Sequence, residues 1–198
     1  NSMSRKVEIF KPLKSKSVSM YFCGPTVYSQ PHIGNNRSFV FSDILKRWLE
    51  FNKFKVKHVV NITDIDDKTI AGAHKENIPL KKFTRKYEKI FLDDIELLNI
   101  KPASKYTRAT EHVKDMIALI KVLMKKKLAY KTEDGIYFSI NKFSQYGKLS
   151  GVFVPQNHAD ARQPFGLSPA FQSRISSDEY DKEEARDFAL WKFWKPSD

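Results

Sequence analysis

The sequence predicts an α/β fold in which parallel strands are joined by crossover helices. Two apolar, β-branched runs at residues 18–22 and 56–62 are typical of buried strands. Between them, over about residues 35–52, apolar residues recur at helical spacing; these are Val40, Phe41, Ile44, Leu45, Trp48 and Leu49. Strand, helix and strand in this order are the unit of a parallel sheet with a right-handed crossover. Ligands of such sheets bind just past the strand ends, here after Phe22 and after Ile62.

The remaining elements of the first two thirds are mostly helical. A short strand is predicted at residues 7–10, and helices are predicted at 66–77 and 80–98, separated by Pro79. The second of these helices places one set of apolar residues on a single face, namely Phe83, Tyr87, Ile90, Phe91 and Ile95. A further amphipathic helix is predicted over 111–128, with an inward face made of Val113, Met116, Ile117, Ile120 and Met124.

The architecture changes after Leu128. Residues 129–131 and 136–140 have strand composition on either side of an Asp134-Gly135 turn, which predicts a β-hairpin. Residues 143–174 show no sustained period and are interpreted as a long loop, and residues 188–194 are predicted to form a strand. One aromatic set is predicted to pack in a core, with an RNA-stacking surface as the alternative; it comprises Tyr137, Phe138, Trp191, Phe193 and Trp194.

The composition is that of a globular protein with a basic surface. Hydrophobic residues make up 41% and charged residues 29% of the 198 residues, which excludes a disordered or membrane class. No apolar run reaches the roughly 18 residues of a bilayer span, and residues 1–6 do not resemble a signal peptide. We therefore expect a cytoplasmic protein, with a monomer as the default. A formal charge of +12 favours a polyanionic partner such as RNA.

The loop at residues 23–35 carries most of the chemistry that the sequence offers. It contains two glycines and leads from the first predicted strand onto a helix. The first amides of a helix have no partner within it and face outward at the positive end of the dipole, so they suit an anion such as a triphosphate. His32 and Asn35 add side-chain donors there. The loop therefore predicts a nucleotide site with the thiol of Cys23 beside it.

Three ordered motifs strengthen this interpretation: Cys-Gly-Pro-Thr-Val-Tyr at 23–28, His-Ile-Gly-Asn at 32–35 and Asn-Ile-Thr-Asp-Ile-Asp-Asp-Lys at 61–68. Together with residues 146–151 and 187–192, they resemble the cysteinyl-tRNA synthetases, within the class I aminoacyl-tRNA synthetase family. The resemblance implies a Rossmann-like catalytic domain, whose first half would occupy residues 1–120. Residues 121–198 would form part of a mixed α+β connective insertion, with 188–194 a strand returning towards the catalytic fold.

The resemblance also implies an activity, namely ATP-dependent activation of L-cysteine and its transfer to tRNA(Cys). By resemblance, His32 and Asn35 bind the ATP phosphates and stabilise charge at the α-phosphorus, and Gly34 leaves room for the adenosine. Gly24 and Thr63 would line the amino-acid pocket. From the residues alone, His32 could be an ordinary surface histidine and Thr63 the N-cap of the following helix.

Two metals follow from the same resemblance. Cys23 matches the first of four zinc ligands, and a zinc ion that takes the substrate thiol would favour cysteine over serine. The other ligands would lie after Asp198, so tight zinc binding by these residues alone is not expected. Magnesium is expected with ATP. Asp64, Asp66 and Asp67 could bind it, but acidic residues at a helix start need no metal, and we prefer that interpretation.

The chain is expected to depart from the family pattern in two respects. The second class I signature, Lys-Met-Ser-Lys-Ser, and the helical anticodon-binding domain are absent, and residues 152–173 are expected not to match the family. We therefore expect a truncated part of a ligase. Two alternatives stay open: a cysteine ligase that acts on an amino sugar, and a non-catalytic paralogue that binds RNA or a protein.

Overall fold

The computed structural model describes residues 1, 3–149 and 187–194. They fall into two compact units: residues 10–113 form the first, and residues 114–149 and 187–194 form the second together with residues 1 and 3–9. Each unit has its own three-stranded sheet. The predicted division between residues 120 and 121 stays a prediction. Residues 152–173, and most of the predicted loop at 143–174, lie outside the described residues.

The first unit has the predicted order of strand, helix, strand and two helices, followed by a short strand that was not predicted. In chain order they are β1 (Ser17–Phe22), α1 (Ile33–Phe51), β2 (Lys55–Ile62), α2 (Asp67–Lys75), α3 (Leu80–Leu97) and β3 (Lys105–Arg108), followed by a 3₁₀ turn at Ala109–His112. The strands are all parallel, in the order β1-β2-β3. The predicted parallel sheet is confirmed, and β2 is its central strand.

Two apolar clusters hold this sheet against its helices. The larger joins α1, α3 and the end of β2, and comprises Val27, Phe39, Ile62, Phe91, Ile95 and Ile100. The smaller packs Leu49 of α1 on Val18 and Met20 of β1. The predicted inward face of α3 is confirmed, since Phe83, Phe91 and Ile95 are all buried. Helices α1 and α3 therefore lie against the same face of the sheet, as successive right-handed crossovers in one direction require.

Helix α1 does not bury the apolar face that its sequence pattern suggests. Its buried residues are Phe39, Ser42, Asp43, Lys46 and Leu49, whereas Phe41, Ile44, Trp48 and Phe51 are each at least 60% exposed. Polar contacts with the segment after α3 account for this orientation. The Asp43 carboxylate accepts from the Lys101 amide at 3.0 Å, and the Lys46 ammonium donates to the Pro102 carbonyl at 2.8 Å. An apolar surface on α1 is thus left uncovered by the described chain.

The second unit contains α4 (Val113–Lys125), apart from its first residue, and an antiparallel sheet with the order β4-β5-β6. Its strands are β4 (Ala129–Lys131), β5 (Gly135–Phe138) and β6 (Phe188–Lys192). The predicted hairpin is confirmed as β4 and β5. The strand predicted at 188–194 is present as β6, and it pairs with β5 of the second sheet. Buried Asp187 fixes the start of β6 by accepting from the Tyr130 hydroxyl and the Ile140 amide, both at 2.9 Å.

Three predictions about these elements are wrong. Residues 7–10 form no strand, because no described strand pairs with them, and Val7 and Ile9 are exposed. On α4 only Ile120 is buried, and the rest of its predicted inward face is at least partly exposed. Leu119 and Val122 are apolar and exposed too, so apolar residues surround this helix and its periodicity cannot select one face. In the aromatic set, Tyr137 is fully buried as predicted, whereas Trp194 is 74% exposed.

Candidate functional site

The three parallel strands end at one edge of the first sheet, and the predicted site residues lie just beyond it. β1 is followed by Cys23 and Gly24, β2 by Thr63 and Asp64, and β3 by the 3₁₀ turn. Buried Asp64 joins the loops after β2 and β3, because its carboxylate accepts from the Thr110 amide at 2.9 Å and from the Thr110 hydroxyl at 2.6 Å. This edge is where ligands bind in open parallel sheets.

Gly24 is a point of very close backbone approach. A Cβ at this position would lie 1.7 Å from the Asn61 carbonyl oxygen and 2.8 Å from a methyl carbon of Val60. The Gly24 amide donates to the Asn61 side-chain oxygen at 2.9 Å. The absence of a side chain thus lets the loop after β1 lie directly on the end of β2.

The same loop then runs alongside Thr63 as a short extension of the sheet. Thr26 and Thr63 form an isolated parallel bridge, in which the Val27 amide donates to the Thr63 carbonyl at 3.2 Å and the Thr63 amide donates to the Pro25 carbonyl at 3.0 Å. Gly24 and Thr63, predicted from separate motifs, are therefore brought to one place. Thr63 is not the N-cap of α2, so that alternative is wrong.

The cap of α2 is Asp66. Its carboxylate accepts from the Lys68 amide at 3.0 Å, while its own amide donates to the Thr69 hydroxyl oxygen at 2.8 Å. Asp67 follows in the first turn, where a negative charge favours the helix dipole. The preferred interpretation of these carboxylates as helix-start residues is confirmed for Asp66, and Asp64 is engaged with Thr110.

His32 and Asn35 together cap the start of α1. The Nδ1 atom of His32 accepts from the Gly34 amide at 3.0 Å, and the Oδ1 atom of Asn35 accepts from the His32 amide at 3.2 Å. Since Nδ1 accepts, the proton of the neutral ring is on Nε2. The His32 Nε2–H and the Asn35 Nδ2–H₂ have no hydrogen-bond partner among the described residues. Both side chains are exposed, so two N–H donors face solvent at this helix end.

The sequence analysis expects unpaired amides at the start of α1, but two of these amides are already hydrogen-bonded. The Gly34 amide is taken by His32, and the Asn35 amide donates to the His32 carbonyl at 2.9 Å. An anion would therefore meet the side-chain donors more readily than these amides. At Gly34, a Cβ would lie 2.8 Å from the His32 ring, so the glycine keeps the space beside that ring open.

Cys23 presents an exposed thiol at the end of β1. Burial, and then the neighbouring Cys23, raise the pKa of Tyr21. Across residues 1, 3–149 and 187–194, no group of three His, Cys, Asp or Glu side chains is placed to hold a metal ion. A structural zinc site takes about four such ligands. The described residues therefore do not form a zinc site by themselves.

Sequence reasoning missed Asn61 and Asp64 as structural centres of this edge. Both lie within the third motif, but nothing in a linear pattern shows which side chain turns back towards a neighbouring loop. The only available signal was the polar Asn61 within the apolar end of β2, between Val60 and Ile62.

In the described part of the chain, no helix is both long and apolar enough to span a bilayer.

Solved structures share the fold of this chain. Methionyl-tRNA synthetase from Mycobacterium tuberculosis, bound by methionyl-adenylate, matches 66% of this chain and 25% of its own, with a TM-score of 0.53 and 19% identity. A leucyl-tRNA synthetase from Agrobacterium radiobacter K84, in a ternary complex with tRNA and LeuAMS, matches 61% of this chain and 15% of its own, with a TM-score of 0.51 and 21% identity. At these identities the likeness establishes the Rossmann-like α/β fold.

Curated relatives are much closer in sequence. The cysteine–tRNA ligase of Brachyspira hyodysenteriae is 43% identical over all of this chain and 40% of its own length. The cysteine–tRNA ligases of Chlamydia pneumoniae and Methanococcus maripaludis are 48% and 42% identical over 99% and 100% of this chain, each along 39% of its own length. This chain thus spans about two fifths of the length of these relatives.

The family model described as the catalytic domain of class I (C) tRNA synthetases matches residues 9–198. It includes all three motifs at the sheet edge and extends through residues 152–173, so the expectation that this stretch departs from the family is wrong. The chain therefore belongs to the class I (C) tRNA synthetase catalytic-domain family.

Proposed function

We propose that this chain is the part of a cysteine–tRNA ligase that binds ATP and L-cysteine. The observation that carries the proposal is the start of α1, where His32 and Asn35 each use one side-chain atom for the cap and turn the other, an N–H donor, to solvent. Two side-chain donors at the positive end of a helix suit a polyphosphate. The names of the curated relatives support the same activity.

In the proposed reaction, the carboxylate oxygen of L-cysteine attacks the α-phosphorus of ATP. Pyrophosphate leaves with the electron pair of the broken P–O bond, and cysteinyl-adenylate forms. A terminal ribose hydroxyl of tRNA(Cys) then attacks the carbonyl carbon, AMP leaves, and the hydroxyl proton is released. His32 and Asn35 would donate to the phosphate oxygens as negative charge grows there, which is electrostatic stabilisation by groups already in position. Gly34 would leave room for the adenosine.

Gly24 and Thr63 would form the floor of the amino-acid pocket. Gly24 brings the loop after β1 onto β2, and Thr63 presents a hydroxyl beside it. Positioning of the two substrates, with no covalent enzyme intermediate, would account for much of the acceleration. Magnesium would accompany ATP as its counter-ion.

Cys23 would contribute one thiolate to zinc, with the remaining ligands supplied from outside the described residues. When bound, zinc would supply discrimination between a thiol and a hydroxyl, because sulfur is the softer donor. For the nucleic acid, the excess of 35 Lys and Arg over 23 Asp and Glu favours association with the phosphates of tRNA(Cys).

The test is L-cysteine-dependent exchange of pyrophosphate into ATP, measured on the natural gene product at its full length. The informative variant is His32→Ser, because serine also caps helices well but lacks the outward N–H. We expect kcat/KM to fall by about 100-fold or more, the usual effect of removing one such donor. His74→Ala, at an exposed histidine in α2, is the matched control and should keep full activity. Absence of cysteine-dependent exchange in the unaltered protein would contradict the proposal.

A further inference from the structure

Asn61 is an unusual residue for the end of a central parallel strand. It lies between buried Val60 and Ile62 and is itself half-buried. Such strands are normally apolar, and a polar side chain there carries a desolvation cost unless it is hydrogen-bonded. Among the described residues the Asn61 side chain has three hydrogen-bond partners, which are Tyr21, Gly24 and Thr63.

The side chain of Asn61 joins β1, the loop after it and the end of β2. Its Oδ1 atom accepts from the Gly24 amide and from the Tyr21 hydroxyl, each at 2.9 Å. Its Nδ2 atom donates to the Thr63 hydroxyl oxygen at 3.1 Å. The Gly24 amide can only donate, so a flipped side chain would place Nδ2 against it and lose that bond; Oδ1 therefore faces Gly24, and Nδ2 faces Thr63.

This orientation determines what the Thr63 hydroxyl can do. Its oxygen is already an acceptor for Asn61, and its own hydrogen has no acceptor among the described residues. The hydroxyl is therefore held ready to donate to a bound ligand. Tyr21, which contacts Asn61 on the other side, also interacts with Cys23. One amide thus connects three of the residues expected around the substrate.

We propose that Asn61 is a positioning residue for L-cysteine, which holds the Thr63 hydroxyl as a donor and fixes the Gly24 backbone against β2. The inference rests on the proposed function, since it concerns the same pocket. Asn61 does not need to touch the substrate. Its effect is transmitted through Thr63 and Gly24, and it is local to the amino-acid side of the site, away from the ATP donors at the start of α1.

The principal variant is Asn61→Asp, which keeps the shape and the oxygen that accepts from Gly24 and Tyr21. Its second oxygen replaces the donor, so the Thr63 hydroxyl turns to donate to residue 61 and is lost to the substrate. A neutral hydrogen bond contributes about 0.5–1.5 kcal/mol, so we expect the KM for L-cysteine to rise about two- to twelvefold. The KM for ATP should stay within about twofold, because the α1 donors are unchanged.

Two further variants make the test specific. Asn61→Ser removes the same donor without adding a charge, and it also serves if Asn61→Asp fails to fold. Thr63→Val removes the hydroxyl through which Asn61 acts. If the proposal is correct, Asn61→Ser raises the KM for L-cysteine less in a Thr63→Val background than in the unaltered protein, because part of its effect is transmitted through the Thr63 hydroxyl. Asn77→Asp, at an exposed residue after α2, is the matched control and should leave both KM values unchanged.

The assay is again pyrophosphate exchange by the full-length gene product, with L-cysteine and ATP varied separately. A selective rise in the KM for L-cysteine that is smaller in the Thr63→Val background supports the positioning role. Equal changes in both KM values, full additivity with Thr63→Val, or no change in Asn61→Ser each overturn it while leaving the proposed function standing. An unaltered protein without cysteine-dependent exchange overturns both.

Discussion

Replacing Gly24 by alanine is the most direct test of the geometry at the sheet edge. The new methyl carbon would lie 1.7 Å from the Asn61 carbonyl oxygen, and ordinary contact begins at 3.4 Å, so the two segments must separate by about 1.7 Å. The obstacle is strand backbone, which cannot rotate aside. Three hydrogen bonds across this junction have lengths of 2.9, 3.0 and 3.2 Å, and none survives such a separation.

The expected cost follows from those three bonds. At about 1 kcal/mol each, their loss lowers the free energy of unfolding by about 3 kcal/mol. This agrees with the upper part of the range of about 1–3 kcal/mol for an overpacked interior. For a unit of roughly 100 residues, the midpoint of thermal unfolding should fall by about 12–24 °C.

Guanidinium unfolding followed by far-ultraviolet circular dichroism measures this change, and Gly34→Ala is the matched control. At Gly34 the new carbon meets only the exposed ring of His32, which can rotate away. Loss of the His32 cap lowers the free energy of unfolding by about 1 kcal/mol, and replacing a glycine within a helix by alanine raises it by a similar amount. If the two alanine variants have free energies of unfolding within about 1 kcal/mol of each other, the close approach at Gly24 is not a structural constraint.

Three other predictions concern the first unit, each read from chemical unfolding. Glu88→Ala should lower the free energy of unfolding by about 3 kcal/mol, because it leaves Arg85 and Arg108 without their buried carboxylate. The control Glu111→Ala removes an exposed carboxylate and should lower the free energy of unfolding by less than about 1 kcal/mol. Equal losses in the two variants would contradict this prediction. Burial, and then Lys46, lower the pKa of His58 below its ordinary 6.5, so the unfolded chain binds the proton more readily. The free energy of unfolding should therefore decrease as pH falls from 6.5 through the folded-state pKa of His58. His58→Leu should make the free energy of unfolding less dependent on pH in this range. An unchanged pH dependence would show that His58 is not the group responsible. Trp48→Ser should change the free energy of unfolding by less than about 1 kcal/mol, because this side chain is already 62% exposed; a loss above about 2 kcal/mol would show that it is buried in solution.

Local pattern was enough to identify most elements of the first unit. The apolar runs that became β1 and β2, and the helical spacing that became α1 and α3, are properties of neighbouring residues and can be read in order. β3 was not predicted, because Lys105–Arg108 has only four residues and little apolar character. It is a strand because β2 offers it a parallel partner at residues 59–62. Pairing of this kind depends on distant residues, which a local window does not contain.

The orientation of α1 shows a different limit of pattern reasoning. The apolar residues of this helix cover most of its circumference, so periodicity alone leaves two faces that could be buried. The choice is made by Asp43 and Lys46, whose partners lie near residues 101 and 102. Those bonds form only after α3 has folded back towards α1. Polar contacts over more than fifty residues therefore decide which apolar side chains stay exposed.

The sequence by itself determined the family, the parallel α/β class and the identity of the candidate residues, because motifs and periods are contained in short stretches of chain. The tertiary structure alone decided how those residues are used. It showed that His32 and Asn35 cap a helix and still turn donors outward, that Gly24 lies against the backbone of β2, and that Asn61 connects Gly24 with Thr63. Each of these is a distance between segments, and the strand pairing of the sheet sets such distances.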